Sequence, residues 1–143
     1  MIFDYIKNSS EDFFTAILGL KVQECKTSKY NNLYCSEISI YKNEKKLDII
    51  FFFNKDTICL ISDILLFDSN PDEESRFDLL KEVANLIVGK AKSLIEETDE
   101  DSIYKISTPK YNGKVRNIRE YNLSQKISQK IQNRCFIIGI KEV

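Results

Sequence analysis

Asp78, Glu82, Asn85 and Gly89, spaced four, three and four residues apart, are the residues of this sequence most suited to chemistry. On a helix at 100° per residue they stack within about 60° of one another, with Lys81 and Lys92 flanking them. Carboxylates accept hydrogen bonds, whereas a carboxamide both donates and accepts and does not titrate near neutral pH. A solvated helix face normally carries Glu, Lys, Gln or Ala. Asn is a poor choice there, and Gly costs about 1 kcal/mol relative to Ala. One reading is a partner surface that must approach the helix backbone closely. The other is that Gly89 lets a neighbouring element pack close while Asp78 and Glu82 only solvate the surface. Spacing alone leaves both open.

Other chemistries drop out by composition. The chain has no histidine, which excludes Ser-His-Asp and Cys-His catalysis and any zinc site that uses imidazole. Cys25, Cys35, Cys59 and Cys135 never form Cys-x-x-Cys, so no metal site is expected, and four free cytoplasmic thiols are. Gly89-Lys90-Ala91 lacks the upstream glycine and the Ser/Thr of a phosphate loop. Asp99-Glu100-Asp101 lacks the glycine and distal glutamate of a calcium loop. Phe51, Phe52 and Phe53 read as core rather than as base-stacking residues, and Cys59 as a small core residue.

The 143 residues suit one domain, 1–143, and 43% hydrophobic residues are enough to bury a core. The longest apolar run, 49–53, is far short of the roughly 18 residues a membrane helix needs, so no membrane span is expected. Met1-Ile2-Phe3-Asp4-Tyr5 carries no secretory pattern, which again suggests the cytoplasm. The net charge of −1 conceals an asymmetry: residues 1–103 sum to −8 and residues 104–143 to +7. Lys114, Arg116, Arg119, Lys126 and Lys130 are spread out rather than clustered. They read more simply as facing the acidic remainder than as a nucleic-acid surface, and no nucleic-acid partner is expected.

The periodicities predict the elements that must hold the stripe. A short helix is expected over 10–18, capped by Ser10 and ended by Gly19, then a polar, turn-rich stretch from Cys25. Strands follow at 36–41 and 47–53 around a turn at 43–46. A helix is expected over 55–67, broken at Asn70-Pro71-Asp72, and then a long one over 73–97 closed by an acidic turn at 96–101. Leu80, Val83, Ala84, Ile87, Ala91, Leu94 and Ile95 form its apolar arc. A strand begins at Ile103 and ends near Pro109, and Asn112-Gly113 reads as a turn. Segment 118–132 is ambiguous, Leu123, Ile127 and Ile131 having helical spacing, and 135–140 is a final strand. This order predicts an α+β fold, a largely antiparallel sheet packed against two to three helices.

The helix Asp78-Leu-Leu-Lys-Glu82-Val-Ala-Asn85-Leu-Ile-Val-Gly89-Lys-Ala91 resembles the signature helix of the CheC/CheX/FliY chemotaxis phosphatases. The flanks resemble the family too: Phe13 through Leu18-Gly19 its first helix, the strand ending at Asn54 its strand before the signature, and Thr108-Pro109 the proline after it. Glu11-x-x-Phe14 leaves a single Glu-x-x-Asn site, which is CheX-like. The resemblance implies hydrolysis of the aspartyl phosphate of a phosphorylated CheY-type response regulator, with Mg²⁺ and a lysine supplied by the regulator and no cofactor of its own. It further implies that Asn85 orients the attacking water, that Glu82 docks on the regulator, and that Asp78, Lys81 and Gly89 extend the contact. A homodimer and a flagellar switch component are the other partners it suggests. A non-catalytic interaction module of the same fold is the alternative.

Overall fold

The computed structural model describes residues 2–26, 32–99 and 103–143. Its elements, in chain order, are α1 (Ile2–Asp12), a π-helical turn (Phe13–Ile17), β1 (Val22–Glu24), β2 (Leu33–Lys42), β3 (Lys45–Asn54), α2 (Lys55–Leu66), α3 (Glu73–Thr98), β4 (Tyr104–Ile106), β5 (Lys110–Val115), a 3-10 turn (Ile118–Tyr121), β6 (Gln125–Ile131) and β7 (Arg134–Glu142). All strand pairings are antiparallel, in the order β1-β6-β7-β3-β2-β4, with β5 also on β2. The expected α+β architecture is present.

The middle of the sheet is apolar on both faces. On β3, Ile49, Phe51 and Phe53 join the core beneath the helices, with Ile38, Ile40, Phe136 and Ile138 from β2 and β7. Ile50 and Phe52 point the other way, into a smaller cluster with Leu33, Cys35 and Ile137. Val115, Ile118, Tyr121 and Leu123 cover that second cluster. Burial on both faces is why 49–53 is an unbroken apolar run.

Helix α2 starts at Asn54, whose side chain accepts from the Thr57 N–H at 2.8 Å, and α3 at Asp72, which accepts from the Ser75 N–H at 2.8 Å. The Ser75 backbone N–H, then its hydroxyl, hold the Asp72 carboxyl below its ordinary value.

Several local expectations need correction. The first helix begins at Ile2, and Ser10 is no cap: its hydroxyl donates to Gln129 Oε1 at 2.9 Å from inside the core. The turn between β2 and β3 is only Asn43-Glu44, with Asn43 left-handed at φ 55°. Helix α2 stops at Leu66, and Phe67, left-handed at φ 56°, caps it. Asn112-Gly113 lies inside β5: Ser36 faces Tyr111 and Cys35 faces Gly113, so Asn112 is the extra residue of a β-bulge. Segment 118–132 forms the 3-10 turn and then β6, whose residues Ile127, Gln129 and Ile131 alternate inward. Helix α3 runs to Thr98, and Glu100 and Asp101 of the expected acidic turn lie outside the described residues.

The expectation of four free thiols also fails. Cys25 and Cys135 form a disulfide across 110 residues of sequence, their Cα atoms 5.7 Å apart, while Cys35 and Cys59 stay free. The bridge joins the chain just after edge strand β1 to the start of β7. Burial pushes the Cys35 thiol up to about 11, so it stays protonated at neutral pH. Closing so long a loop typically contributes about 2–4 kcal/mol. Dithiothreitol should therefore lower the denaturant midpoint, and Cys135→Ser should lower it equally and abolish the response. Cys35 should resist iodoacetamide near pH 8 until the chain unfolds, a contrast that mass spectrometry reads directly.

Candidate functional site

Helix α3 packs across the sheet and buries Leu79, Leu80, Val83, Ala84, Ile87, Val88, Ala91 and Ile95. Its small residues, Ala84 and Ala91, are completely buried, so the helix axis lies close to the layer beneath. Two serine hydroxyls fix it further. Ser36 on β2 donates to the Leu80 carbonyl at 3.1 Å, and Ser9 on α1 donates to the Ile87 carbonyl at 2.6 Å. Along one flank Tyr5 meets Thr98 at 2.8 Å, and Asp12 pairs with Lys90.

This packing leaves one face outward. Asp78, Glu82 and Asn85 are exposed, and Gly89 is half-buried on the same face. Among the described residues, the side chains of Glu82 and Asn85 have no hydrogen bond or ion pair, and they stand three residues apart on adjacent turns. Lys81 pairs with Asp78 at 3.5 Å, an exposed contact worth little in itself. Lys92 is committed to Glu96 at 2.8 Å, and that bond chiefly holds the Glu96 carboxyl below its ordinary value.

Gly89 distinguishes the two readings of its presence. A Cβ built there meets nothing within 4 Å, so among the described residues no element packs against it. Close packing within the described residues therefore does not account for this poor helix former. Sequence reasoning passed over Leu86, which is 40% exposed beside Asn85. Its place in the generally apolar segment 86–88 disguised it, although a wheel puts it about 80° from Asp78, on the outward side. Phe67, 91% exposed at the end of α2, was likewise hidden in an apolar helix pattern.

Together the stripe presents two carboxylates, a carboxamide, an open backbone and an apolar side chain to solvent. It can bind a cation, orient a small polar molecule and admit another surface. Among the described residues, no group of three or more cysteine, aspartate or glutamate side chains is placed to hold a metal ion. No helix among them is long and apolar enough to cross a membrane.

No family model and no curated protein matches the chain. Solved structures do. The chemotaxis protein CheX from Vibrio vulnificus superposes with a TM-score of 0.80 at 17% identity, covering 100% of this chain and 97% of that one. A CheX–CheY–BeF3–Mg²⁺ complex from Borrelia burgdorferi gives 0.72 at 11% identity, with 99% and 97% covered. Thermotoga maritima FliY gives 0.60 at 17% identity, with 99% and 86% covered. The chain has the CheC/CheX/FliY fold.

Replacing Gly89 with alanine fills open space on a helix. Gly89→Ala should therefore raise unfolding free energy by about 0.5–1 kcal/mol, measured by urea titration. A loss of stability would mean that the glycine serves the fold.

Proposed function

We propose that this protein accelerates hydrolysis of the aspartyl phosphate of a phosphorylated CheY-type response regulator in chemotaxis. The observation that supports this most directly is the outward, unpartnered pair Glu82 and Asn85 on a helix held immobile from beneath. The fold, shared with CheX, supports the choice of partner. A cytoplasmic location follows from that partner, although a disulfide such as Cys25–Cys135 is uncommon there.

Hydrolysis of an acyl phosphate asks little covalent help of a catalyst. Water attacks phosphorus, the bond from phosphorus to the carboxyl oxygen breaks, and inorganic phosphate leaves a free carboxylate. What accelerates the step is a water held in line with the leaving oxygen and stabilisation of charge on the phosphoryl oxygens. Mg²⁺ and a lysine belong to the regulator. Asn85 donates one hydrogen bond and accepts another, so it can orient water without changing protonation. Glu82, one turn earlier, pairs with the regulator's lysine and fixes the register of docking. Asp78 and Lys81 extend the polar rim, Leu86 adds an apolar contact, and Gly89 leaves room for the partner's backbone.

Phosphate release from a phosphorylated CheY-type receiver, with and without this protein, tests the proposal. Asn85→Ala should abolish the acceleration, a loss of about a hundredfold or more, while binding and fold persist, since alanine is the better helix former. Glu82→Lys sets like charge against the regulator's lysine, so affinity should fail first. Unchanged release with Asn85→Ala would refute the catalytic assignment. Binding of the phosphorylated receiver without faster decay would make the protein an interaction module.

A further inference from the structure

The α3 stripe leaves the basic C-terminal part of the chain unused. On the sheet face away from the helices, a cleft of about 670 Å³ lies between the segment Val115 to Ser124 and residues of β6 and β7. Arg116, Arg119 and Lys126 line it. All three are exposed, and none has an ion-pair partner among the described residues. Between residues 112 and 141 the sequence has one acidic residue, Glu120, and it does not line the cleft. Among the described residues these three cations thus pair with no carboxylate, where the simpler expectation from the sequence had them facing the acidic remainder. Leu33 and Ile137 add apolar lining.

The wall of this cleft is preformed. Leu123 lies against Gly139, where an added Cβ would come within 2.6 Å of its side chain. Tyr121 packs edge-on against Phe52 with ring centroids 5.1 Å apart. The Ser124 N–H donates to the Ile140 carbonyl at 2.8 Å, and Ser124 Oγ accepts from the Glu142 N–H at 3.2 Å. A ligand would not have to order this segment on binding, which removes one cost of association.

We propose that this cleft binds a small phosphorylated ligand of about nucleotide size, its phosphates on Arg116, Arg119 and Lys126 and its less polar part against Leu33 and Ile137. Arginine forks match phosphate oxygens in pairs, and unpaired cations around one concavity raise the local concentration of an anion. The volume exceeds what a single phosphate fills and lies within the roughly 300–1,000 Å³ of small-ligand sites. A single nucleic-acid strand fits less well. The three cations line one hollow, and among the described residues no aromatic side chain lines it for base stacking. This site is independent of the α3 stripe and of the phosphatase reading.

Isothermal titration of the full chain with ATP and with pyrophosphate tests the inference, a single-stranded oligonucleotide serving as competitor. ATP should saturate one site and weaken as salt rises. The triple variant Arg116→Ala, Arg119→Ala, Lys126→Ala should lose about tenfold or more in affinity, each removed contact being charge-assisted. Its side chains are exposed, so circular dichroism and melting should match wild type. Lys114→Ala, a basic change outside the cleft, should bind like wild type. No saturable ATP binding, or equal affinity in the triple variant, would overturn the proposal. Pyrophosphate binding without ATP binding would overturn the ligand size. An oligonucleotide that binds tighter than ATP per phosphate and is weakened by Lys114→Ala would replace the site with a nucleic-acid track.

Discussion

Helix α3 cannot roll. Its buried arc is interdigitated with the sheet, and a turn of even one residue would carry Glu82 toward the apolar layer while lifting Ile87 or Val83 out of it. Burying an unpaired carboxylate is far costlier than exposing a valine. The hydroxyls of Ser36 and Ser9 reinforce this by gripping carbonyls at Leu80 and Ile87, just before and just after the exposed pair. Orientation of the stripe is thus set by packing on the hidden side. Glu82 and Asn85 are left without partners among the described residues, and an outward carboxamide can be spent on contact with another molecule.

The two faces of the sheet are built by one alternation. Ile49, Phe51 and Phe53 support the helices, and Ile50 and Phe52 support the segment that walls the basic cleft. The β-bulge at Asn112 belongs to this second layer. Asn112 Nδ2 reaches Glu37 Oε1 at 2.8 Å, and Lys110 pairs with the same carboxylate at 2.9 Å. Tyr121, close to Cys35, has its hydroxyl pushed upward first by burial and then by its hydrogen bond with that thiol. The reverse face is a tight small core with a polar rim.

Helix α3 was readable because its apolar and polar positions separate cleanly at a period of 3.6, and its stripe came with it. Strand β6 was not. Ile127 and Ile131 are four apart, which satisfies a helix and a strand equally, and the residue between them that would have shown alternation is Gln129. Gln129 is buried because Ser10 satisfies it, a fact of the tertiary structure alone. The same bond explains the misplaced first helix, since Ser10 looks like a cap until its partner 119 residues away is known. Asn112-Gly113 has turn chemistry and uses it for a bulge, Gly113 taking φ 89°. The disulfide had no local signal at all, joining cysteines 110 residues apart. The basic residues showed their charge in the sequence but not their convergence, which needed the chain to cross the back of the sheet.

The margins of the sheet have one more effect. Strand β2 is covered on its outer side by two strands in tandem, β5 opposite its first half and β4 opposite its last three residues. Between them the chain breaks step at Ser107, which bonds back to Ser39, and Pro109 has no N–H to offer. The opposite margin is β1, three residues long, together with the first four residues of β6 that β1 does not reach. Among the described residues, neither border offers a foreign strand a long, regular row of donors and acceptors, and such rows are what seed cross-chain pairing and insoluble assemblies. Apolar as its centre is, this seven-stranded sheet thus has described margins poorly suited to polymerising through its own backbone.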